Sequence, residues 1–75
     1  MRIRDLREDA DLTQTEIARM LHIRQSTYSQ YESNNRQIPL SVLIALARFY
    51  NTSTDYLLGL TDEKKPYKRA HKENK

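Results

Sequence analysis

Thr13-Gln14-Thr15-Glu16-Ile17-Ala18-Arg19-Met20-Leu21-His22-Ile23-Arg24-Gln25-Ser26-Thr27-Tyr28-Ser29-Gln30-Tyr31-Glu32 is the stretch whose reading decides the fold. Its first four residues form a capping box. The threonine hydroxyl accepts from the amide three residues on, and the glutamate there reaches back to the threonine amide. Ile17, Ala18 and Leu21 follow at helical spacing and make an inward face, so a helix opens at Thr13 and ends near Leu21. His22-Ile23 precedes a second helical stretch that runs to Glu32. A connection this short allows only a tight turn between two angled helices.

Upstream, Ile3, Leu6 and Ala10 sit at helical spacing and predict a first helix over Ile3 to Asp9. Downstream, Asn34-Asn35-Arg36-Gln37 reads as a polar loop. Pro39 marks the start of a fourth helix, where its missing N–H costs nothing, and that helix covers Leu40 to Tyr50. It stops near Asn51, a residue tolerant of the left-handed conformation. Ser53 caps a short fifth helix, Asp55 complements its dipole and Gly59 ends it. The fold class is therefore all-α, five helices within residues 1–60. Residues 61–75 are polar and basic, cannot bury enough apolar surface to offset their ordering entropy, and read as a disordered tail.

Composition narrows the function classes. Seventy-five residues suit one domain with one modest core. Cysteine is absent, which excludes disulfide frameworks and thiolate metal sites and fits a reducing, cytoplasmic setting. The longest apolar run, Val42 to Ala47, falls far short of the ~20 residues that span a bilayer, and no apolar region of signal-peptide type follows Met1. Residues 1–60 hold seven arginines and seven acids, so the whole net charge of +3 sits in the tail. The high pI is thus a poor argument for nucleic-acid binding, since solvated lysine-rich tails are common.

Placement is the better argument. At 100° per residue, Gln25, Ser26, Ser29 and Gln30 share one surface of the second helix of the quoted unit, and Tyr28 and Tyr31 lie towards the other side. An amide of glutamine can donate to and accept from the N6/N7 edge of adenine, and serine and threonine serve several base edges. Arg24 and Arg36 flank this surface, where they can meet phosphates without putting charge at its centre. A solvated polar helix face has the same composition, and the residues alone leave both readings open.

The quoted run resembles the helix-turn-helix of the Cro/C1-type (XRE) family of phage and bacterial repressors. The similarity continues through Arg36-Gln37-Ile38-Pro39-Leu40 and Asn51-Thr52-Ser53-Thr54-Asp55-Tyr56-Leu57-Leu58-Gly59, and so covers about residues 3–60. The resemblance implies a five-helix, lambda-repressor-like domain that binds double-stranded DNA, usually as a two-fold dimer on a palindromic operator. It implies no enzyme activity, cofactor, metal or small-molecule effector. It puts Gln25, Ser26 and Gln30 at base edges, with Thr27 and Ser29 as additions. Gln14, Arg24, Asn34, Asn35 and Arg36 fall where the family meets the DNA backbone. Glu32 takes the acidic position ending the third helix, structural and paired with an arginine. Tyr28, at a usually aliphatic position, is expected half-buried with its hydroxyl at the DNA-side rim, in reach of a phosphate.

Two departures from the family pattern stand out. His22 occupies a turn position that needs φ > 0 and often holds glycine; with no second ligand nearby in sequence, it reads as structural rather than as a metal ligand or pH switch. Arg24 replaces a small N-cap, leaving Ser26 or water to compensate. In the fourth helix Leu40, Leu43, Ile44, Ala47 and Tyr50 are read as the core stripe, with Val42, Ala45 and Phe49 as a second one. The second stripe is either covered by the fifth helix or left for a partner. The resemblance favours a homodimer joined through Val42, Phe49, Tyr56, Leu58 and Leu60. Lys64 to Lys72 either adds phosphate affinity or is a solvated terminus. Competing roles are an antitoxin or restriction-controller component and a protein-interaction module. No Ser/His/Asp set, Gly-rich phosphate loop or His/carboxylate metal pattern supports an enzyme.

Overall fold

The computed structural model describes residues 1–66; of the tail expected over 61–75, residues 67–75 lie outside the described residues. Five helices follow in order: α1 (Ile3–Asp9), α2 (Gln14–Leu21), α3 (Gln25–Glu32), α4 (Leu40–Phe49) and α5 (Thr54–Leu58), with no strand among the described residues. This is the all-α, five-helix, lambda-repressor-like architecture expected from the sequence.

Helix starts follow side-chain chemistry where the sequence provides it. The Glu16 amide donates to Thr13 Oγ1 at 3.1 Å and the Thr13 amide donates to Glu16 Oε1 at 2.8 Å, closing the capping box of α2. The Tyr56 amide donates to Ser53 Oγ at 3.0 Å and caps α5. Arg2, Arg24 and Pro39, at the N-caps of α1, α3 and α4, make no side-chain cap bond. At α3 neither Arg24 nor Ser26 caps the helix.

All five helices end in one way. A left-handed residue turns the chain while its own amide and the next one bond back to carbonyls in the last turn, which satisfies two otherwise orphaned acceptors. After α2, the His22 amide meets the Arg19 carbonyl at 3.1 Å and the Ile23 amide meets Ala18 at 3.0 Å. After α4, the Asn51 amide meets Arg48 at 3.2 Å and the Thr52 amide meets Ala47 at 2.8 Å. Asp11, Asn34 and Gly59 do the same after α1, α3 and α5. The φ angles are 58° at Asp11, 60° at His22, 62° at Asn34, 53° at Asn51 and 81° at Gly59. Only the last belongs to the residue type that adopts this region without steric cost.

The core is built from Ile3 and Leu6 of α1, Ile17 and Ala18 of α2, Tyr28 and Tyr31 of α3, Leu43, Leu46 and Ala47 of α4, and Leu57 of α5. Fully burying each large aliphatic side chain stabilises the fold by about 1.5–3 kcal/mol. The closest helix pairings are α2 with α3 and α4 with α5. The core stripe expected for α4 is corrected in part. Leu43 and Ala47 are buried and Tyr50 is half-buried, but Leu40 is 68% and Ile44 39% exposed, and Leu46, absent from that stripe, is fully buried. Nearly every position of α4 is apolar, so its neighbours rather than its periodicity choose the buried face. Ala10, at the end of α1, is exposed.

Residues 61–64 run back along the body. Arg2 stands over the Tyr56 ring, 4.1 Å from its centroid. Its guanidinium donates to the Thr61 carbonyl at 2.9 Å and to Asp62 at 2.8 Å, while its amide donates to the Leu57 carbonyl at 2.8 Å. The buried Thr52 hydroxyl donates to the Lys64 carbonyl at 2.6 Å. No helix among the described residues is long and apolar enough to cross a membrane.

Candidate nucleic-acid interface

The α2–turn–α3 unit supplies the site. The tyrosines at positions 28 and 31 are the buried residues of α3, so the helix is pinned to the core along one side. The opposite side is then left uncovered. Gln25, Ser26 and Gln30 are exposed, and Thr27 and Ser29 are half-buried at the margins. Arg24 before the helix and Asn34, Asn35 and Arg36 after it are exposed as well. The site's hydrogen-bonding groups are thus amides and hydroxyls on a rigid support, with cations only at its ends.

Tyr28 does not belong to this surface. Its exposure is 0%, so the expected half-buried ring with a hydroxyl at the rim is corrected: the side chain is wholly inside and its hydroxyl cannot reach a phosphate. A residue three positions from both Gln25 and Tyr31 lies between the two faces of the helix, and the space under α3 accommodates a whole aromatic ring. The hydroxyl lies close to Glu32 but has no hydrogen-bond partner in good geometry. Burial foremost, then Glu32, pushes its pKa far above the usual tyrosine value. Burial likewise pushes the Tyr50 hydroxyl up to about 12.

Beneath the exposed face lies a polar chain. The Glu32 side chain is 0% exposed, and Arg7 grips it with Nε at 2.7 Å from Oε2 and Nη2 at 3.2 Å from Oε1. Arg7 also donates to the Leu12 carbonyl at 2.8 Å, tying the pair to the turn before α2. Arg4 adds a longer contact at 3.5 Å from an exposed position. The arginine expected beside Glu32 is therefore chiefly Arg7 of α1. Burial alone raises the Glu32 pKa. Hydrogen bonds from Arg7 and Gln14, the nearby Tyr28 hydroxyl and the charge of Arg7 outweigh it and hold the carboxyl at about 2.

Gln14 links this buried pair to the surface. Its Nε2 donates to Glu32 Oε1 at 3.0 Å, and its Oε1 accepts from Gln25 Nε2 at 2.6 Å. The bond between Gln14 and Gln25 was not read from the sequence. The two residues are eleven apart, on different helices, and only the angle set by the turn at His22 brings them together. The one signal available was position: Gln14 opens α2 and Gln25 opens α3.

Of the expected dimer residues, Phe49, Leu58 and Leu60 are exposed, and with Leu40 and Ile44 they are large apolar side chains in contact with solvent. Val42 and Tyr56 are half-buried against the core, and Tyr56 carries Arg2 on one ring face.

The helix-turn-helix family model matches residues 3–57. Among curated proteins, the chain is 43% identical over 65 residues to the uncharacterized HTH-type transcriptional regulator YobD of Bacillus subtilis, a match spanning 87% of this chain and 58% of that protein. It is 41% identical over 58 residues to HTH-type transcriptional regulator ImmR of the same organism, across 77% of this chain and 46% of the relative. It is 35% identical over 69 residues to HTH-type transcriptional regulator AnsR, also of B. subtilis, across 92% and 60%. The chain thus spans roughly half the length of the curated relatives it matches. No solved structure matches it significantly. With the capped α2, the left-handed turn at His22 and the uncovered face of α3 in place across the matched residues, the chain belongs to the helix-turn-helix family of DNA-binding regulators, Cro/C1 type.

Proposed function

We propose that this chain is a sequence-specific regulator of transcription, acting as a repressor, that lays α3 in the major groove of double-stranded DNA. The observation that carries this reading is the division of α3, with Tyr28 and Tyr31 sunk in the core and Gln25, Ser26 and Gln30 left bare. Gln25, Ser26 and Gln30 read base edges, with Thr27 and Ser29 as marginal contacts. Gln14, Arg24, Asn34, Asn35 and Arg36 meet the sugar–phosphate strands and set the register. The site binds DNA and carries out no chemistry on it.

A second copy of the chain joins through the exposed Phe49, Leu58 and Leu60, placing two recognition helices about 34 Å apart on an inverted repeat. Selection of bound duplexes from a random pool, followed by salt titration, tests both statements. The expected result is a site with two-fold symmetry and an affinity that falls steeply with salt. Gln25→Ala and Gln30→Ala each cost about 1–3 kcal/mol on the selected site and nothing comparable on random DNA. Recovery of no preferred sequence, or binding indifferent to salt, would instead favour a module that docks on protein.

A further inference from the structure

A carboxylate has no proton to give, and that fact propagates outward from the core. Glu32 is ionised, wholly buried and clamped by Arg7, so any side chain bonding to its free lone pairs must donate. Only the amino end of the Gln14 amide can face it, and Gln14 Nε2 does so at 3.0 Å. The carbonyl end of Gln14 is consequently turned towards α3, where it accepts from Gln25 Nε2 at 2.6 Å. Gln25 then has one N–H committed inward. It shows the outside one free N–H and a free carbonyl oxygen.

We propose that Glu32 is a positioning residue that fixes which hydrogen-bonding edge Gln25 presents, and thereby makes the site prefer adenine to guanine at the base Gln25 reads. One donor beside one acceptor complements the N7 acceptor and N6 donor of adenine. Were the chain of amides reversed, Gln25 would spend its oxygen on Gln14 and present two N–H donors, the complement of the guanine O6 and N7 acceptors. The protein therefore sets the polarity of its reading group from a buried charge at the other end of α3, before any duplex arrives. This proposal rests on the reading of α3 as a base-contacting helix.

The test begins with the base position whose preference Gln25→Ala erases among selected duplexes. At that position the wild-type protein favours adenine over guanine by about tenfold or more. Gln14→Ala leaves the Arg7–Glu32 pair intact but frees Gln25 to rotate; overall affinity falls with the lost backbone contact, and the ratio at this position drops to about threefold or less, further than the preference at any other position. The exchange variant, Gln14→Glu with Glu32→Gln, restores an obligate acceptor at position 14 and recovers the adenine preference even if overall affinity drops. A merely structural role for Glu32 would not be rescued by moving the charge. Circular dichroism confirms that each variant is folded. The proposal is overturned if Gln14→Ala leaves the ratio at its wild-type value, if wild type prefers guanine there, or if Gln25→Ala erases no preference while specific binding persists. Failure of the wild-type chain to select any duplex would overturn the base-reading function itself, and the proposal with it.

Discussion

Glu32 shows how much one side chain can hold. With its carboxyl at about 2 in the folded chain against the usual 4.5, it binds its proton far more weakly when folded than when unfolded. The associated stability is fully present above the unfolded value and drains away as pH falls through the folded one. The shift corresponds to something on the order of 3 kcal/mol. Urea midpoints measured from pH 6 to pH 2 should therefore fall steadily below about pH 5, and in Glu32→Gln the dependence should flatten. His22 is a second single-residue case. It is exposed and sits at φ 60°, where a side chain costs about 1–2 kcal/mol and glycine costs nothing sterically. His22→Gly loses part of that gain to the greater freedom of the unfolded chain. It should still stabilise the domain by about 0.5–1 kcal/mol, read as a rise in thermal midpoint of several degrees. A fall in midpoint would show that the histidine ring makes a stabilising contact. The family resemblance foretold the left-handed turn at His22 and the arginine partner of Glu32, because both residues stand at positions the family pattern marks. The sequence did not foretell Tyr28, since helical phase says on which side a ring lies but not how deep the space there is.

At the scale of the helices, those with their own end signals were legible. The bounds of α1, α2 and α3 match the reading to within one residue, because capping box, periodicity and turn chemistry agree there. α4 is the reverse: its ends were found, but its buried face was not, because a helix apolar on most sides carries no phase information. Leu46→Ala should cost about 2–5 kcal/mol in chemical denaturation, whereas Leu40→Ala, at a position 68% exposed, should cost less than about 1 kcal/mol. Equal losses would mean that Leu40 is covered in solution. On the proposed DNA-binding reading, α3 sets stability against function. Its N-cap, Arg24, bonds no amide of the first turn, although a serine there would gain about 1 kcal/mol. Arg24→Ser should therefore raise the unfolding midpoint and reduce the salt slope of duplex binding by about one unit. A variant that gained neither would show Arg24 to be idle in both respects.

Taken whole, the molecule adds to its core a set of bonds between its earliest and latest described residues. Arg2 reaches Thr61 and Asp62 across 59 and 60 positions of sequence, while the helix-turn-helix unit closes within residues 13–32. A ribosome releases roughly 5–20 residues each second, so on a growing chain Arg2 waits several seconds for its counterparts after α2 and α3 have already emerged. Through that interval the Leu57 carbonyl, the Tyr56 ring face and the Asp62 carboxylate are still to come, and α1 lacks the anchor at its first turn. α3 is thus made early and the latch late: a nascent chain stalled before residue 62 would expose a finished α3 surface on an unfinished body.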